Sequence, residues 1–157
     1  MNKERKVIDP NAVVFFDRDV MATELNSYRE LLHGDVVIWG DLDVDTDLNI
    51  DCNVYVIGVV KAPYNNTINI QGDLYCEGPI DGWDINVSGD LYCEGIINST
   101  DIKVGENLYC GMDIQTMNSK VAVAGELECF KIDAEEICVL NKLIVKECIT
   151  AASVEIG

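Results

Sequence analysis

The sequence is poor in basic residues and in histidine. Its 157 residues include 11 lysines and arginines against 28 aspartates and glutamates, which gives a formal net charge of −17 at pH 7. A surface of this sign repels phosphate backbones and anionic lipid, so we expect no nucleic-acid partner. His33 is the single histidine, and the arginines all precede residue 30. Residues 36–157 therefore contain no histidine and no arginine, so no Ser/His/Asp or Cys/His pairing can form there, and we predict no enzymatic activity and no catalytic residues.

Long apolar runs are missing as well. A transmembrane helix needs about 20 apolar residues, and no stretch of the sequence supplies them. Asp9, Pro10 and Asp17 interrupt the opening segment, so it does not have the apolar region of a signal peptide. The seven cysteines form an odd number in a chain without an export signal. We interpret them as reduced thiols and predict a cytoplasmic protein.

A repeat of about 17 residues organises most of the chain. The heptapeptide GDLYCEG occurs at residues 72–78 and again at 89–95, each time within a stretch where apolar and polar residues alternate. Alternation with period two indicates extended strands with one buried face. The alternating stretches begin at residues 36, 54, 68, 85, 102, 121, 137 and 154.

These features predict an all-β fold, a single-stranded right-handed parallel β-helix (β-solenoid) of about seven coils. The eight starting residues are expected to form one column along a common axis. The step of 14 residues from position 54 to position 68 then predicts one shortened coil at residues 54–67. A second inward column is expected to contain Leu48, Ile80, Ile97, Ile114, Ile132 and Ile149. Further inward candidates are Trp83, Met117 and Ala152.

The segment before residue 36 does not follow the repeat. Its apolar residues at helical spacing are Met21, Leu25, Tyr28 and Leu32. Gly34 is a natural helix stop, and His33 is expected to have a structural role in the last turn. We therefore predict two parts, an N-terminal capping segment with a short helix over residues 1–35 and a parallel β-helix over residues 36–157.

Within the repeat, individual side chains have expected orientations. Leucine and cysteine of GDLYCEG should face the core, and aspartate, tyrosine and glutamate should face solvent, with the first glycine at a corner or at a tight inner position. Glu106 replaces that glycine in a later coil and is expected to turn outward at a local bulge. The cysteine column consists of Cys76, Cys93, Cys110 and Cys129. A line of thiols does not provide tetrahedral ligands, so core packing is the favoured interpretation, and we predict no metal site and no cofactor.

Two surfaces are candidate interaction sites. No lid sequence follows the last repeat, and an uncovered strand edge readily pairs with another chain. The expected self-association residues are Cys138, Leu140, Ile144, Val154 and Ile156. Coverage by residues 146–157 or by the N-terminal segment is the alternative. An outward ladder supplies the ligand-binding candidates Tyr75, Tyr92, Tyr109, Asp73 and Asp90.

The ladder has two interpretations. Aromatic and acidic side chains in rows suit a glycan, a protein partner or calcium. In-register stacking between neighbouring strands and solvated charges explain the same residues without a ligand.

The coil pattern Val/Ile-x-Gly-x-Leu/Ile appears as VVIWGDLDV, INIQGDLYCEG and VAVAGELEC. Over residues 36–157 it resembles the bactofilins, which are polymer-forming bacterial cytoskeletal proteins. The resemblance implies a rod that polymerises. We thus expect a structural or scaffold protein, a homo-oligomer or polymer that self-associates through the C-terminal end of its β-helix. The alternative is a soluble binding module that presents the tyrosine and acidic ladder.

Overall fold

The structure is a computed structural model that describes residues 13–32, 34–63 and 65–157. His33, the histidine expected in the last helical turn, lies outside the described residues. The predicted all-β solenoid is confirmed, since one chain winds through parallel strands that stack coil upon coil. Helix α1 (Ala22–Ser27) and a short 3₁₀ turn (Arg29–Leu31) are the helical elements of the described ranges.

Each coil has three faces, and strands of successive coils stack on the same face. Face 1 consists of β1 (Val14–Phe16), β3 (Val36–Ile38), β6 (Val54–Val56), β9 (Leu74–Cys76), β12 (Leu91–Cys93), β15 (Leu108–Cys110) and the first halves of β18 (Glu126–Asp133) and β20 (Lys142–Thr150). Face 2 consists of β2 (Val20–Met21), β4 (Leu42–Asp43), β7 (Val60–Lys61), β10 (Ile80–Asp81), β13 (Ile97–Ser99), β16 (Asp113–Thr116) and the second halves of β18 and β20. Face 3 consists of β5 (Leu48–Ile50), β8 (Thr67–Ile70), β11 (Asp84–Val87), β14 (Asp101–Val104), β17 (Lys120–Val123), β19 (Glu136–Val139) and β21 (Ser153–Ile156).

The inward positions of the three faces form continuous apolar columns. On face 2, Ile80, Ile97 and Ile114 pair in register and are fully buried. A buried aliphatic side chain contributes roughly 1.5–3 kcal/mol, whereas ordering the backbone of one residue costs about 1–2 kcal/mol. A single coil is therefore not stable alone, whereas a stack of coils is.

The GDLYCEG heptapeptide is one strand of face 1 with the two corners that flank it. A Cβ on Gly72 would lie 2.7 Å from the carbonyl carbon of Cys52, and a Cβ on Gly95 would lie 2.6 Å from the backbone nitrogen of Pro79. No described glycine has a positive φ, so glycine is required by the close approach of the preceding coil, not by a left-handed backbone. The heptapeptide recurs because two crowded corners enclose one strand.

The expected column through all eight starting positions is wrong for its first two members. Val36 and Val54 stack on face 1 beneath Leu74, whereas the other six residues stack on face 3 above Leu48. The alternation of apolar and polar residues continues around the corner between two faces. A stretch that looks like one strand in the sequence therefore forms two strands on different faces. The coil from Val54 to Leu74 is longer than the usual repeat, and the shortened coil does not exist.

Two smaller expectations about inward residues also need correction. Leu48 belongs to face 3 and pairs with Ile68, while the other members of its expected column lie on face 2. Trp83, Met117 and Ala152 are exposed at the corner between faces 2 and 3. The inward positions of that corner hold smaller side chains, because the chain turns sharply there. They include Ala62, Ser99, Thr116 and Ala134.

Glu106 occupies the corner column of Gly72 and Gly89, and its side chain is exposed as expected. Its N–H donates to the carbonyl oxygen of Gly89 at 3.1 Å, and its own carbonyl accepts from the N–H of Gly125 at 2.7 Å. Because these corner hydrogen bonds are continuous and the flanking strands keep their register, the expected bulge is absent.

The N-terminal segment contains the expected short helix together with two strands that extend the solenoid. Strands β1 and β2 pair with β3 and β4, and α1 takes the place of a strand on face 3. The side chain of Asn26 accepts from the N–H of Asn49 at 3.1 Å and donates to the carbonyl of Asp47 at 2.8 Å. The helix thus satisfies backbone groups of β5 that would otherwise form an open edge.

Substitution of Gly95 tests the corner argument. Gly95→Ala places a Cβ against the backbone of Pro79 and Gly78, which cannot move without disturbing the stack, so we expect a loss of about 1–3 kcal/mol in the free energy of unfolding. Urea denaturation measures it. Gly82→Ala is the matched control, because its Cβ would meet only side-chain atoms of Ile68 and Ile85, the nearest at 3.3 Å, and no backbone atom. Equal losses for the two variants would contradict the corner argument.

Candidate functional site

The tyrosine ladder lies on the outside of face 1. The rings of Tyr75 and Tyr92 stack with centroids 4.5 Å apart and an interplanar angle of 2°, and those of Tyr92 and Tyr109 with centroids 4.6 Å apart. Tyr55 continues the ladder at 6.0 Å from Tyr75, a member that the sequence analysis did not include. The separation of neighbouring strands is about 4.8 Å, so one tyrosine per coil produces face-to-face stacking.

The faces of the tyrosine rings contact one another within the ladder. The hydroxyls of Tyr75 and Tyr92 donate to Oε1 of Glu94 at 3.2 and 3.4 Å. Burial and then the neighbouring hydroxyl of Tyr75 raise the pKa of Tyr92, so the phenol stays protonated and remains a donor. Tyr109 is only 7% exposed. The surface therefore presents ring edges and hydroxyl groups, whereas stacking on a sugar needs an open ring face.

The acidic column next to the tyrosines forms a second ladder. Oδ1 of Asp73 accepts from the N–H of Asp90 at 3.0 Å, and Oδ1 of Asp90 accepts from the N–H of Asn107 at 2.9 Å. Asn107 in turn accepts from the N–H of Glu126 at 2.9 Å. Each side chain thereby satisfies a corner N–H of the next coil, which explains acidic and amide residues at this position. Among the described ranges, no three His, Cys, Asp or Glu side chains are grouped closely enough to hold a metal ion.

Face 3 has an equivalent corner bond at Asp101. Its Oδ1 accepts from the hydroxyl of Ser119 at 2.6 Å and from the N–H of Lys120 at 3.0 Å. The hydrogen bond from Ser119, followed by the one from the Lys120 backbone, lowers the pKa of Asp101 below its ordinary value of 3.8. The ionised carboxylate is therefore the form that the fold favours.

The cysteine column is buried on the inside of face 1. The thiols of Cys76, Cys93 and Cys110 donate to glycine carbonyls of the preceding coil at 3.3–3.4 Å. Burial raises the pKa of Cys76 and of Cys129 to about 12. All seven cysteines are free thiols. The column thus packs as a set of small apolar side chains whose S–H groups have acceptors.

The coil at residues 142–156 has apolar side chains at its outer side. Val154 and Ile156 are in register with buried residues of β19, yet they are 45% and 53% exposed. Ile149 stacks on Ile132 and is also exposed. Within the described part of the chain, β20 and β21 each pair with a strand on one side only.

The other expected self-association residues lie elsewhere. Cys138 and Leu140 project from face 3, where Leu140 is 54% exposed, and Ile144 is half-buried in the ladder column of face 1. The five residues therefore lie in three places. Val154 and Ile156 are on the outer side of the coil, Cys138 and Leu140 are on face 3, and Ile144 is on face 1.

A shallow groove of about 440 Å³ runs along face 3 beside Leu140. Its lining includes the small residues Gly105, Ala122 and Ala124, together with Lys103. Sequence reasoning did not identify these four residues. A signal was available, because small side chains replace polar ones at outward positions only in these coils, but it required knowing which face each position belongs to.

The sequence matches no known protein-family model, and neither a curated protein nor a solved structure is significantly similar to it. The described residues include no helix that is long and apolar enough to cross a membrane. Interpretation of the site therefore depends on the physical features of the molecule itself.

Thiol reactivity tests the orientation of the cysteine column. We expect the partly exposed Cys138 and Cys148 to react with a disulfide reagent at about pH 8, while Cys76 and Cys129 stay unreacted because burial keeps them protonated. Mass spectrometry of the labelled native protein identifies the sites. Labelling in denaturant is the control, in which all seven should react. Rapid native labelling of Cys76 would refute the inward column.

Acid titration tests the corner bond of Asp101. The variant Asp101→Asn keeps an acceptor oxygen but has no charge. The pKa of Asp101 is lower in the folded than in the unfolded state, so ionisation of its carboxyl group stabilises the fold at pH values above 3.8. This contribution to stability is lost as the pH falls through the pKa of the folded state.

We expect the wild type to be more stable than Asp101→Asn at neutral pH, with a difference in the free energy of unfolding that shrinks as the pH falls below 3.8. Denaturation at several pH values measures it. In a Ser119→Ala background the pH dependence should be smaller, because the main hydrogen bond is removed. A difference that does not change with pH would exclude this role.

Proposed function

We propose that the chain is a non-enzymatic structural protein that self-associates through the coil of residues 142–156. The observation that carries the proposal is the exposure of side chains from the inward columns. Val154 and Ile156 continue the columns of the fully buried Ile137 and Val139. In every other strand of face 3, the same positions are covered by the next coil.

Two contributions to the free energy, burial of apolar surface and pairing of backbone groups, favour association at this coil. Covering the exposed parts of Val154, Ile156 and Ile149 removes apolar surface from water, at roughly 25 cal/mol for each Å². The outer edges of β20 and β21 also present backbone N–H and C=O groups in strand geometry, which another strand can satisfy. A partner that offers both apolar columns and strand edges fits this surface.

A second copy of the same coil meets both requirements. At the opposite end of the described solenoid, α1 lies over β5, and Asn26 bonds to its backbone, so face 3 is already covered there. The two ends therefore differ, which favours contact between like ends around a two-fold axis. Such isologous contacts are the commonest arrangement in homo-oligomers.

The repeat-level resemblance to the bactofilins supports a cytoskeletal or scaffold role as part of this proposal. A cytoplasmic location is also proposed, because seven free thiols suit a reducing compartment. The binding-module alternative receives less support, since the tyrosine faces stack on one another and Oδ1 of Asp73 and of Asp90 already accepts backbone N–H groups.

The variants Ile156→Lys and Ile149→Lys test the association. Each places a charge in the apolar patch at a position that is already exposed, so the fold should remain intact. We expect the dissociation constant of the self-associated form to rise at least about tenfold, because a lysine ammonium would have to be desolvated on contact. Sedimentation velocity over a concentration series measures it.

Gln115→Lys provides the matched control. It adds the same charge at an exposed outward position of face 2, in the middle of the solenoid. This control should associate like the wild type. A wild type that remains monomeric at the highest concentration, or lysine variants that associate as strongly as the control, would overturn the proposal.

A further inference from the structure

The outward surface of face 3 has an ordered arrangement of side chains over its last four strands, β14, β17, β19 and β21. Three columns run along the solenoid axis, with one residue for each strand. The first contains Asp101, Lys120, Glu136 and Ser153. The second contains Lys103, Ala122, Cys138 and Glu155. The third contains Gly105, Ala124, Leu140 and Gly157.

We propose that two copies of the chain pack face 3 against face 3 in antiparallel orientation. The two-fold axis is parallel to the strands and passes between β17 and β19. This rotation reverses the solenoid axis but keeps the position along each strand. Every column therefore meets the same column of the second copy in reversed order, so β14 lies over β21 and β17 lies over β19.

Charge complementarity supports this pairing. In the second column, Lys103 meets Glu155 of the other copy, and the contact occurs twice by symmetry. Lys103 has no ion pair within the described ranges, although the protein carries a net charge of −17. In the first column, Lys120 meets Glu136, two residues that already form an ion pair at 2.5 Å within each copy. The positive and negative side chains of Lys120 and Glu136 from the two copies therefore alternate across the contact.

Shape complementarity supports the same register. In the third column, the exposed side chain of Leu140 meets Ala124, beside the groove of about 440 Å³ that Ala122 and Gly105 help to form. A large side chain on one copy thus lies opposite a small one on the other. Gly105 meets Gly157, which leaves no steric conflict at the ends of this column.

The dimensions indicate a weak contact. Four strands at about 4.8 Å spacing and three outward positions along each strand cover roughly 400 Å² for each copy. The total of about 800 Å² is below the roughly 1,200 Å² at which standard specific interfaces begin, and it suits a weak, transient contact. The pair should therefore form at high local concentration, and its two ion-pair contacts should make it sensitive to salt. The asparagine ladder of Asn49, Asn69 and Asn86 lies outside the overlap.

A charge-exchange experiment tests the arrangement. All proteins carry Ile149→Lys, which lies on face 2 and weakens the proposed end contact, so association through face 3 is measured in a background where the end contact contributes less. The variants are Lys103→Glu and Glu155→Lys, both at exposed positions. Each alone places like charges together twice, and we expect association at least about tenfold weaker than in the parent. The double variant Lys103→Glu/Glu155→Lys should recover the parental affinity.

An equimolar mixture of the two single variants gives the most specific result. Under the proposed symmetry, each copy of one variant complements the other at both positions, so the mixture should form a heterodimer with about the parental affinity. Sedimentation velocity with one variant fluorescently labelled detects it, and circular dichroism confirms folding. A monomeric parent, single variants that associate like the parent, or a mixture that stays monomeric would each overturn the antiparallel pairing. Capture of a different partner by this face without self-association would do the same.

Discussion

The structure depends on the close vertical approach of one coil to the next. Strands about 4.8 Å apart bring the backbones of successive coils so close at some corners that these positions require a residue without a Cβ. Gly72 and Gly95 meet that requirement, and the strand between such corners is held in fixed register. The inward columns, the stacked tyrosines and the carboxylate bonds all follow from this register, because each needs equivalent residues at the same height in successive coils.

Much of the fold could be predicted from the alternation and its period. The inward leucines and cysteines and the outward tyrosines and aspartates of GDLYCEG have the orientations that alternation indicates. The division into faces could not be predicted in this way, because alternation continues through a glycine corner without interruption. Alternation therefore predicts Val36 and Val54 in the column of Ile68, and the apolar spacing predicts Leu48 in the column of Ile80, although backbone pairing places them on other faces.

The candidate sites show the same limit. The exposure of Val154 and Ile156 could be anticipated from their place in the repeat, whereas the grouping of Lys103 and Ala124 with Cys138 and Glu155 on one surface required the observed register. The acidic column is a second case in which the sequence alone does not indicate the observed contacts. Rows of acidic side chains are compatible with calcium, but one oxygen of Asp73 and one of Asp90 each accept a backbone N–H of the adjacent coil.

Those corner bonds have a direction. Asn53 accepts from the backbone of Asp73, Asp73 from that of Asp90, and Asp90 from that of Asn107, so the acceptor always precedes its donor in the chain. A finished coil therefore displays aligned side-chain oxygen atoms to the residues that follow it in the chain. Synthesis on the ribosome supplies residues in that same order. The solenoid can consequently be extended coil by coil during synthesis, because each new coil finds acceptor oxygens on the coil that precedes it.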